Sequence, residues 1–123
     1  MQYYAHISDD KVRKQTVKEH LTGTARLSGL FAEAFRCGEW GYGCGILHDI
    51  GKYSQGFRKR LEGGSMIDHA TAGAQEMMRL YARSNPLAAY CTAYCISGHH
   101  SGLLDGGRTG DTAGEATLQG RLK

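Results

Sequence analysis

The segment that decides the fold of this chain reads EWGYGCGILHDIGK over residues 39–52. Its larger apolar residues and His48 recur at helical spacing on one face, which predicts a helix over residues 39–50. Three glycines, Gly41, Gly43 and Gly45, lie between them, and each costs about 1 kcal/mol of helix propensity relative to alanine. Close approach by a neighbouring helix would compensate this cost, so we expect a buried helix that ends at Gly51.

The residues before this segment predict another helix. Thr16 and Glu19 match a capping box, in which each side chain satisfies a backbone amide at a helix start. An apolar stripe with three- and four-residue spacing follows until about Arg36, and Gly38 ends it. The stripe consists of Leu21, Leu27, Leu30, Phe31, Ala34 and Phe35. Residues 1–15 show no sustained period and are predicted to be an extended lead-in.

The residues after the segment predict two further helices. Residues 53–61 form a short basic amphipathic stretch, which we interpret as a solvated helical turn. Asp68 is a good N-cap for a helix to about Ser84. Asn85 and Pro86 open a helix to about Ile96. The sum is an all-α helical bundle over residues 1–107, followed by a glycine-rich tail, residues 108–123, that we expect to be a loop or weakly held.

Composition sets broad limits on this interpretation. A chain of 123 residues makes one compact domain, and 41% hydrophobic with 22% charged residues is ordinary for globular proteins. The net charge of +3 permits nucleic acid as a partner without requiring it. We find no apolar run long enough for a membrane span and no signal peptide, and therefore expect a soluble, cytoplasmic protein. The four cysteines show no C-x-x-C pair and are expected to be reduced and mostly buried.

Polar residues that fall on buried helical faces or at helix ends form one notable set. They are His20, His48, Asp49, His69, His99 and His100. A single histidine on an apolar face is more often a hydrogen-bonded core residue than a ligand. Five imidazoles at the inner ends of four helices are costly to bury unless their nitrogens are satisfied, and a metal ion does so. The adjacent pair His48 and Asp49 suits a carboxylate that bridges two ions, which predicts a dinuclear metal site where four helices converge.

The short sequence motifs around these residues, and their order along the chain, resemble those of the HD superfamily of metal-dependent phosphohydrolases. Residues 45–53 read GILHDIGKY, residues 68–70 read DHA and residues 98–103 read GHHSGL. Together with YAH over residues 4–6 and EHL over residues 19–21, they are most similar to the HD nuclease domain of the helicase-nuclease of type I CRISPR systems. The resemblance covers residues 3–107.

The resemblance implies a role for each matching residue. His20 and His48 bind a first metal, Asp49 bridges, and His69, His99 and His100 bind a second. Lys52 lies beside the site and holds a phosphate. Water activated by two ions about 3.5 to 4 Å apart attacks phosphorus. Manganese, iron, cobalt or nickel suits imidazole ligands, with magnesium as a weaker candidate and zinc as a candidate inhibitor.

The same resemblance implies the partners. The substrate is mainly single-stranded DNA, and the other partners are a helicase domain or chain and the Cascade surveillance complex. The basic run Arg58, Lys59 and Arg60 is a candidate contact to the DNA backbone, or simply a solvated basic face. Tyr53 and Phe57 are candidates for stacking on bases, and Phe57 is equally credible as core.

This sequence departs from the family in one respect. The family takes a further aspartate ligand for the first metal from a helix well after the double histidine, and no such helix precedes Lys123. Asp105 and Asp111 lie in the glycine-rich part and do not match it. We therefore expect a C-terminally truncated or shortened domain whose first site is one ligand short.

Two rival interpretations stay open. The chain is either an HD phosphohydrolase acting on a nucleotide or cyclic dinucleotide, or a catalytically incomplete metal-binding module that serves in interactions.

Overall fold

The computed structural model describes residues 1–65 and 68–123 of the chain. Within these ranges the chain is mostly helical, with six α-helices and one two-stranded hairpin. The strands are β1 (Tyr4–Ile7) and β2 (Lys14–Thr16). The helices are α1 (Val17–Ala32), α2 (Gly38–Leu47), α3 (Gln55–Leu61), α4 (Ala70–Tyr81), α5 (Pro86–Gly98) and α6 (Leu118–Arg121). One 3-10 turn, Glu33–Phe35, lies between α1 and α2, and a second, Ile50–Tyr53, lies between α2 and α3.

The hairpin corrects the prediction of an unpatterned lead-in and of a purely α-helical fold. β1 and β2 pair antiparallel with an irregularity between Tyr4 and His6. Ala5 on β1 is buried and packs in one cluster with Val17 and Leu21 of α1. The strands are three and four residues long, too short for alternation to stand out in the sequence. The hairpin therefore anchors the start of α1 rather than forming a layer of its own.

The start of α1 follows the predicted capping box. The Thr16 hydroxyl accepts a hydrogen bond from the Glu19 amide at 3.1 Å, and the Glu19 carboxylate accepts one from the Thr16 amide at 2.9 Å. This confirms the predicted helix start. The box fixes the first turn of α1, which carries His20.

Helices α1 and α2 pack through small residues, as the glycines of α2 predict. A Cβ atom on Gly45 would lie 2.4 Å from the Cα atom of Ala25, and one on Gly41 would lie 2.4 Å from the carbonyl oxygen of Ser28. The two backbones therefore approach more closely than any larger residue allows. The expected close approach by a neighbouring helix is confirmed.

The predicted apolar stripe of α1 is wrong in most of its members. Leu27, Leu30, Phe31 and Phe35 are 47% to 73% exposed. The buried residues of α1 are Val17, Leu21, Ala25 and Ala32. Because the tight contact with α2 admits only small side chains over much of the helix, the large apolar residues lie outside that contact and stay exposed.

Helices α4 and α5 close the core against α2. Leu47, Ala74, Met77, Ala93 and Ile96 form one buried cluster. The N-cap of α4 is His69 rather than the predicted Asp68, and α4 ends at Tyr81 rather than Ser84. The Asp68 carboxylate still accepts hydrogen bonds from the amides of Ala70 and Thr71, the first two residues of α4. The predicted start of α5 is confirmed, since its Asn85 cap accepts a hydrogen bond from the amide of Ala88.

Two segments are more firmly packed than expected. Phe57 on α3 is 1% exposed, so this stretch is more than a solvated turn. In the glycine-rich part, Asp105 pairs with Thr117 and Leu118 is fully buried. Leu122 packs against the main core cluster. Apolar contacts thus hold residues 118–122 against the core, although the glycine-rich composition of this part predicts a loop or a weakly held tail.

The four cysteines are free thiols, and the prediction that they are mostly buried is wrong. Cys91 and Cys95 are exposed, while Cys37 and Cys44 are half-buried. Among the described residues, no helix is both long and apolar enough to cross a membrane.

Candidate metal centre

The six histidine and aspartate residues singled out from the sequence meet at one place. His20 lies in the first turn of α1, and His48 and Asp49 directly follow α2. His69 precedes the first residue of α4, and His99 and His100 directly follow α5. Four helices thus bring the set together, mainly through their ends. A helix end allows two adjacent residues to turn toward one point, which the interior of a helix does not.

Asp49 lies at the centre of the group and is 2% exposed. Its Oδ2 atom lies 2.8 Å from His20 Nε2, 3.1 Å from His48 Nε2 and 2.9 Å from Lys52 Nζ. Its Oδ1 atom lies 3.0 Å from His99 Nε2, 3.2 Å from His69 Nε2 and 3.8 Å from His100 Nε2. Each carboxylate oxygen therefore faces a different set of imidazoles.

The donors divide into two groups that share Asp49. The first group is His20, His48 and Asp49. The second group is Asp49, His69, His99 and His100. In each group one ligand atom per residue lies within 4.8 Å of all the others, so each group could hold a metal ion. One carboxylate that serves two imidazole groups fits a pair of divalent ions.

The backbone fixes two of the rings in the form that a metal requires. His48 Nδ1 donates to the carbonyl oxygen of Gly45 at 2.7 Å, and His99 Nδ1 donates to that of Ile96 at 2.6 Å. A carbonyl only accepts, so in the neutral ring the lone pair lies on Nε2. Each Nε2 atom then faces an Asp49 oxygen about 3 Å away, which is another acceptor. A cation or an added proton must lie between them, and ring donation to a carbonyl is typical of metal-ligating histidines.

In the second group, two ring nitrogens lie close to one another. His69 Nε2 and His100 Nε2 lie 2.6 Å apart. Two neutral rings satisfy such a contact only if one donates to the other, whereas a shared cation satisfies both. His69 is buried, and its ring and that of Phe57 form a T-shaped contact with centroids 5.1 Å apart.

Electrostatics keep Asp49 charged. Burial on its own would raise the pKa of Asp49, but hydrogen bonds from His48, His99 and Lys52 outweigh it and hold that pKa well below the usual range. The bond to Asp49 raises the pKa of His99. Burial lowers the pKa of His20 and of His100, which favours the neutral, metal-binding form of both rings.

Lys52 lies inside the site rather than in solvent. It is 5% exposed, its Nζ atom lies 2.9 Å from Asp49 Oδ2, and it lies 5.3 Å from the centroid of the Phe57 ring. The stacking role considered for Phe57 is wrong, because the ring is buried beneath Lys52 and His69. Tyr53 is 43% exposed and packs edge-on against Tyr3.

The later aspartates do not join either group. Asp111 accepts hydrogen bonds from the Arg108 amide and the Thr117 hydroxyl, and Asp105 pairs with Thr117. Among the described residues the first group therefore contains three donors and the second contains four.

Sequence reasoning missed two features beside the site. The His6 ring packs edge-on against His20 with centroids 4.9 Å apart. Arg121 on α6 lines a cavity that reaches His69 and His100. The YAH motif of residues 4–6 includes His6, but no signal in the sequence placed Arg121 beside the metal centre.

No protein-family model matches the chain, and no curated protein matches it. The structure establishes a small, mostly helical domain with a buried His/Asp cluster that could hold metal ions.

Proposed function

We propose that this chain is a metal-dependent HD-type nuclease that hydrolyses phosphodiester bonds, mainly of single-stranded DNA. The observation that carries the proposal is the shared carboxylate of Asp49, which presents one oxygen to each of two imidazole groups. Phosphodiester hydrolysis by paired ions requires this kind of bridged arrangement. The order of the sequence motifs along the chain supports the assignment to the HD superfamily.

The residues of the chain fit divalent transition metals better than magnesium. Five of the six donors are imidazoles, which suit manganese, iron, cobalt or nickel, while magnesium prefers oxygen ligands. Zinc also suits them and is the candidate inhibitor. Bound ions supply the activation of water and the neutralisation of charge that the reaction needs.

The chain itself supplies orientation and one positive charge. Gly45 and Ile96 hold the rings of His48 and His99 through their carbonyl oxygens, so the ligand nitrogens are in place before substrate arrives. Lys52 is held by Asp49 and offers a cation to a phosphate oxygen of the substrate. Burial of Asp49 and Lys52 excludes water from this pair and strengthens the interaction.

The biological setting rests on the resemblance to the CRISPR nuclease domains. It assigns the chain to type I CRISPR interference in the cytoplasm, with a helicase domain or chain and the Cascade surveillance complex as partners. The net charge of +3 and the exposed Arg58 and Lys59 suit a DNA backbone as substrate.

A cleavage assay on circular single-stranded DNA tests this function. With manganese, the wild-type chain is expected to open the circle, and chelation is expected to stop it. Asp49→Ala is expected to abolish cleavage while the helices remain, and Asp9→Ala, an exposed carboxylate in the hairpin turn, serves as the matched control.

The rival functions are outcomes of the same assay. Turnover of a nucleotide or cyclic dinucleotide with the circle left intact would replace the nuclease with a nucleotide phosphohydrolase. Metal binding without any turnover would favour an interaction module, and manganese-dependent nicking by Asp49→Ala would remove the bridging role.

A further inference from the structure

A cavity of about 410 Å³ opens beside the second group of donors. His69 and His100 form its side toward the metal centre, and Arg60 and Arg121 are among its other lining residues. Its volume falls within the roughly 300–1,000 Å³ typical of ligand sites. An occupant of this cavity would lie directly against the candidate metal ligands.

Arg121 is fixed in the wall of this cavity. Its Nη1 atom donates to Asp68 Oδ2 at 2.6 Å, and its carbonyl oxygen accepts a hydrogen bond from Gln75 Nε2 at 2.9 Å. The fully buried Leu118 holds the same short helix α6 against the core. Only one Nη atom of the Arg121 guanidinium donates to Asp68 in this contact. The guanidinium has five N–H donors, so it can bind a second anion at the same time.

The lining of the cavity matches a sugar–phosphate backbone. Two guanidinium groups outnumber the single carboxylate of Asp68, which leaves the wall net positive before any metal binds. Thr71, Ser97 and Ser101 add hydroxyl groups. Apart from the two histidines, the described lining residues include no aromatic ring on which a base would stack.

We propose that this cavity binds the backbone phosphate of the nucleotide next to the scissile phosphodiester, and that Arg121 contacts that phosphate. The inference rests on the proposed nuclease function and extends it to a second contact on the same strand. Because the contact is to phosphate, it reads no sequence. Asp68 acts as a positioning residue, since it accepts hydrogen bonds both from Arg121 and from the Ala70 amide at the start of α4.

Binding of a fluorescent oligothymidylate to the chelated protein tests this inference without cleavage. Arg121→Gln is expected to weaken binding about tenfold, which is typical of the loss of one charge-assisted hydrogen bond. It is also expected to lower the slope of log affinity against log salt by about 0.7. Lys123→Gln is the matched control, because it removes one charge from the same segment at a residue outside the cavity lining, where Nζ donates to the carbonyl oxygen of Thr109.

Equal affinity and salt slope in Arg121→Gln and Lys123→Gln would overturn the phosphate contact, as would a wild-type chain that binds no oligonucleotide. Circular dichroism and bound-metal content show whether Arg121→Gln remains folded. If it does not, Arg121→Lys decides, with a retained slope and weaker binding expected.

The cleavage assay keeps this inference separate from the proposed function. If the wild type cleaves DNA but Arg121→Gln leaves oligonucleotide binding unchanged, only the phosphate contact of Arg121 is overturned. Arg121-dependent binding by a chain that cleaves nothing with any metal overturns the nuclease and the position of the phosphate beside a scissile bond, and leaves only the phosphate contact of Arg121.

Discussion

The buried ion pair between Asp49 and Lys52 makes a prediction about the stability of the metal-free protein. The two side chains are 3% and 5% exposed and lie 2.9 Å apart. Removal of one partner of a buried pair costs about 3–5 kcal/mol, because the other charge stays buried without compensation. We expect Asp49→Asn to lower the free energy of unfolding by about 3 kcal/mol and Lys52→Met by about 2 kcal/mol, since His99 still donates to Asp49 in the second variant.

The double variant separates this pair from its surroundings. Asp49→Asn with Lys52→Met leaves no uncompensated charge from the pair, so its cost is expected to be about 3 kcal/mol rather than the sum of about 5 kcal/mol. The difference is a coupling energy of about 2 kcal/mol. Urea unfolding of all four proteins with metals chelated measures it. Additivity within about 0.5 kcal/mol would refute the reasoning, because independent sites behave in that way.

Three further predictions concern the packing of glycines and the burial of cysteines. In Gly73→Ala the new Cβ atom would lie 2.0 Å from the carbonyl oxygen of Leu47, so we expect a loss of about 2–3 kcal/mol in unfolding free energy. In Gly23→Ala the new Cβ atom meets no atom within 4 Å, so we expect a gain of about 0.5–1 kcal/mol. Thermal unfolding measures both variants, and a Gly73→Ala protein more stable than Gly23→Ala would contradict this. Burial raises the pKa of Cys44 from 9.0 to about 11, so stability should fall as pH rises between these values, because only the unfolded thiol releases its proton there. At about pH 8.5 iodoacetamide should therefore modify the exposed Cys91 and spare Cys44 until the chain unfolds, as mass spectrometry of the peptides will show; equal labelling would contradict the burial.

Local signals in the sequence predicted helix starts well. The capping box at Thr16 and the Asn85–Pro86 pair each fix a backbone amide within a few residues, so their effect does not depend on the rest of the fold. The glycines of α2 likewise indicated close packing, because a residue without a Cβ atom is expensive in a helix unless something fills its place.

Which apolar face is buried could not be predicted from spacing alone. In α1 and the 3-10 turn that follows it, Phe31 and Phe35 follow helical spacing as well as Ala25 and Ala32 do. The choice between the two faces depends on the glycines of a different helix, which admit only small partners. Periodicity identifies a stripe, and the neighbouring helix decides whether that stripe is covered.

The candidate site was largely predictable because its residues carry chemistry that is costly without a partner. The imidazoles and the carboxylate fall on predicted buried faces or at helix ends, and the structure places His20, His48 and His69 around Asp49. Arg121 was not predictable, since its position depends on the packing of Leu118 after a glycine-rich segment.

The number of metal ions bound per chain tests the central claim most directly. Titration with manganese, followed by elemental analysis, is expected to give a tight ion at the group of Asp49, His69, His99 and His100 and a weaker ion at the three-donor group. His69→Ala should remove the tight ion, His20→Ala the weaker one and Asp49→Ala both. A wild-type chain that binds no ion, or binding that none of these substitutions changes, would contradict the account.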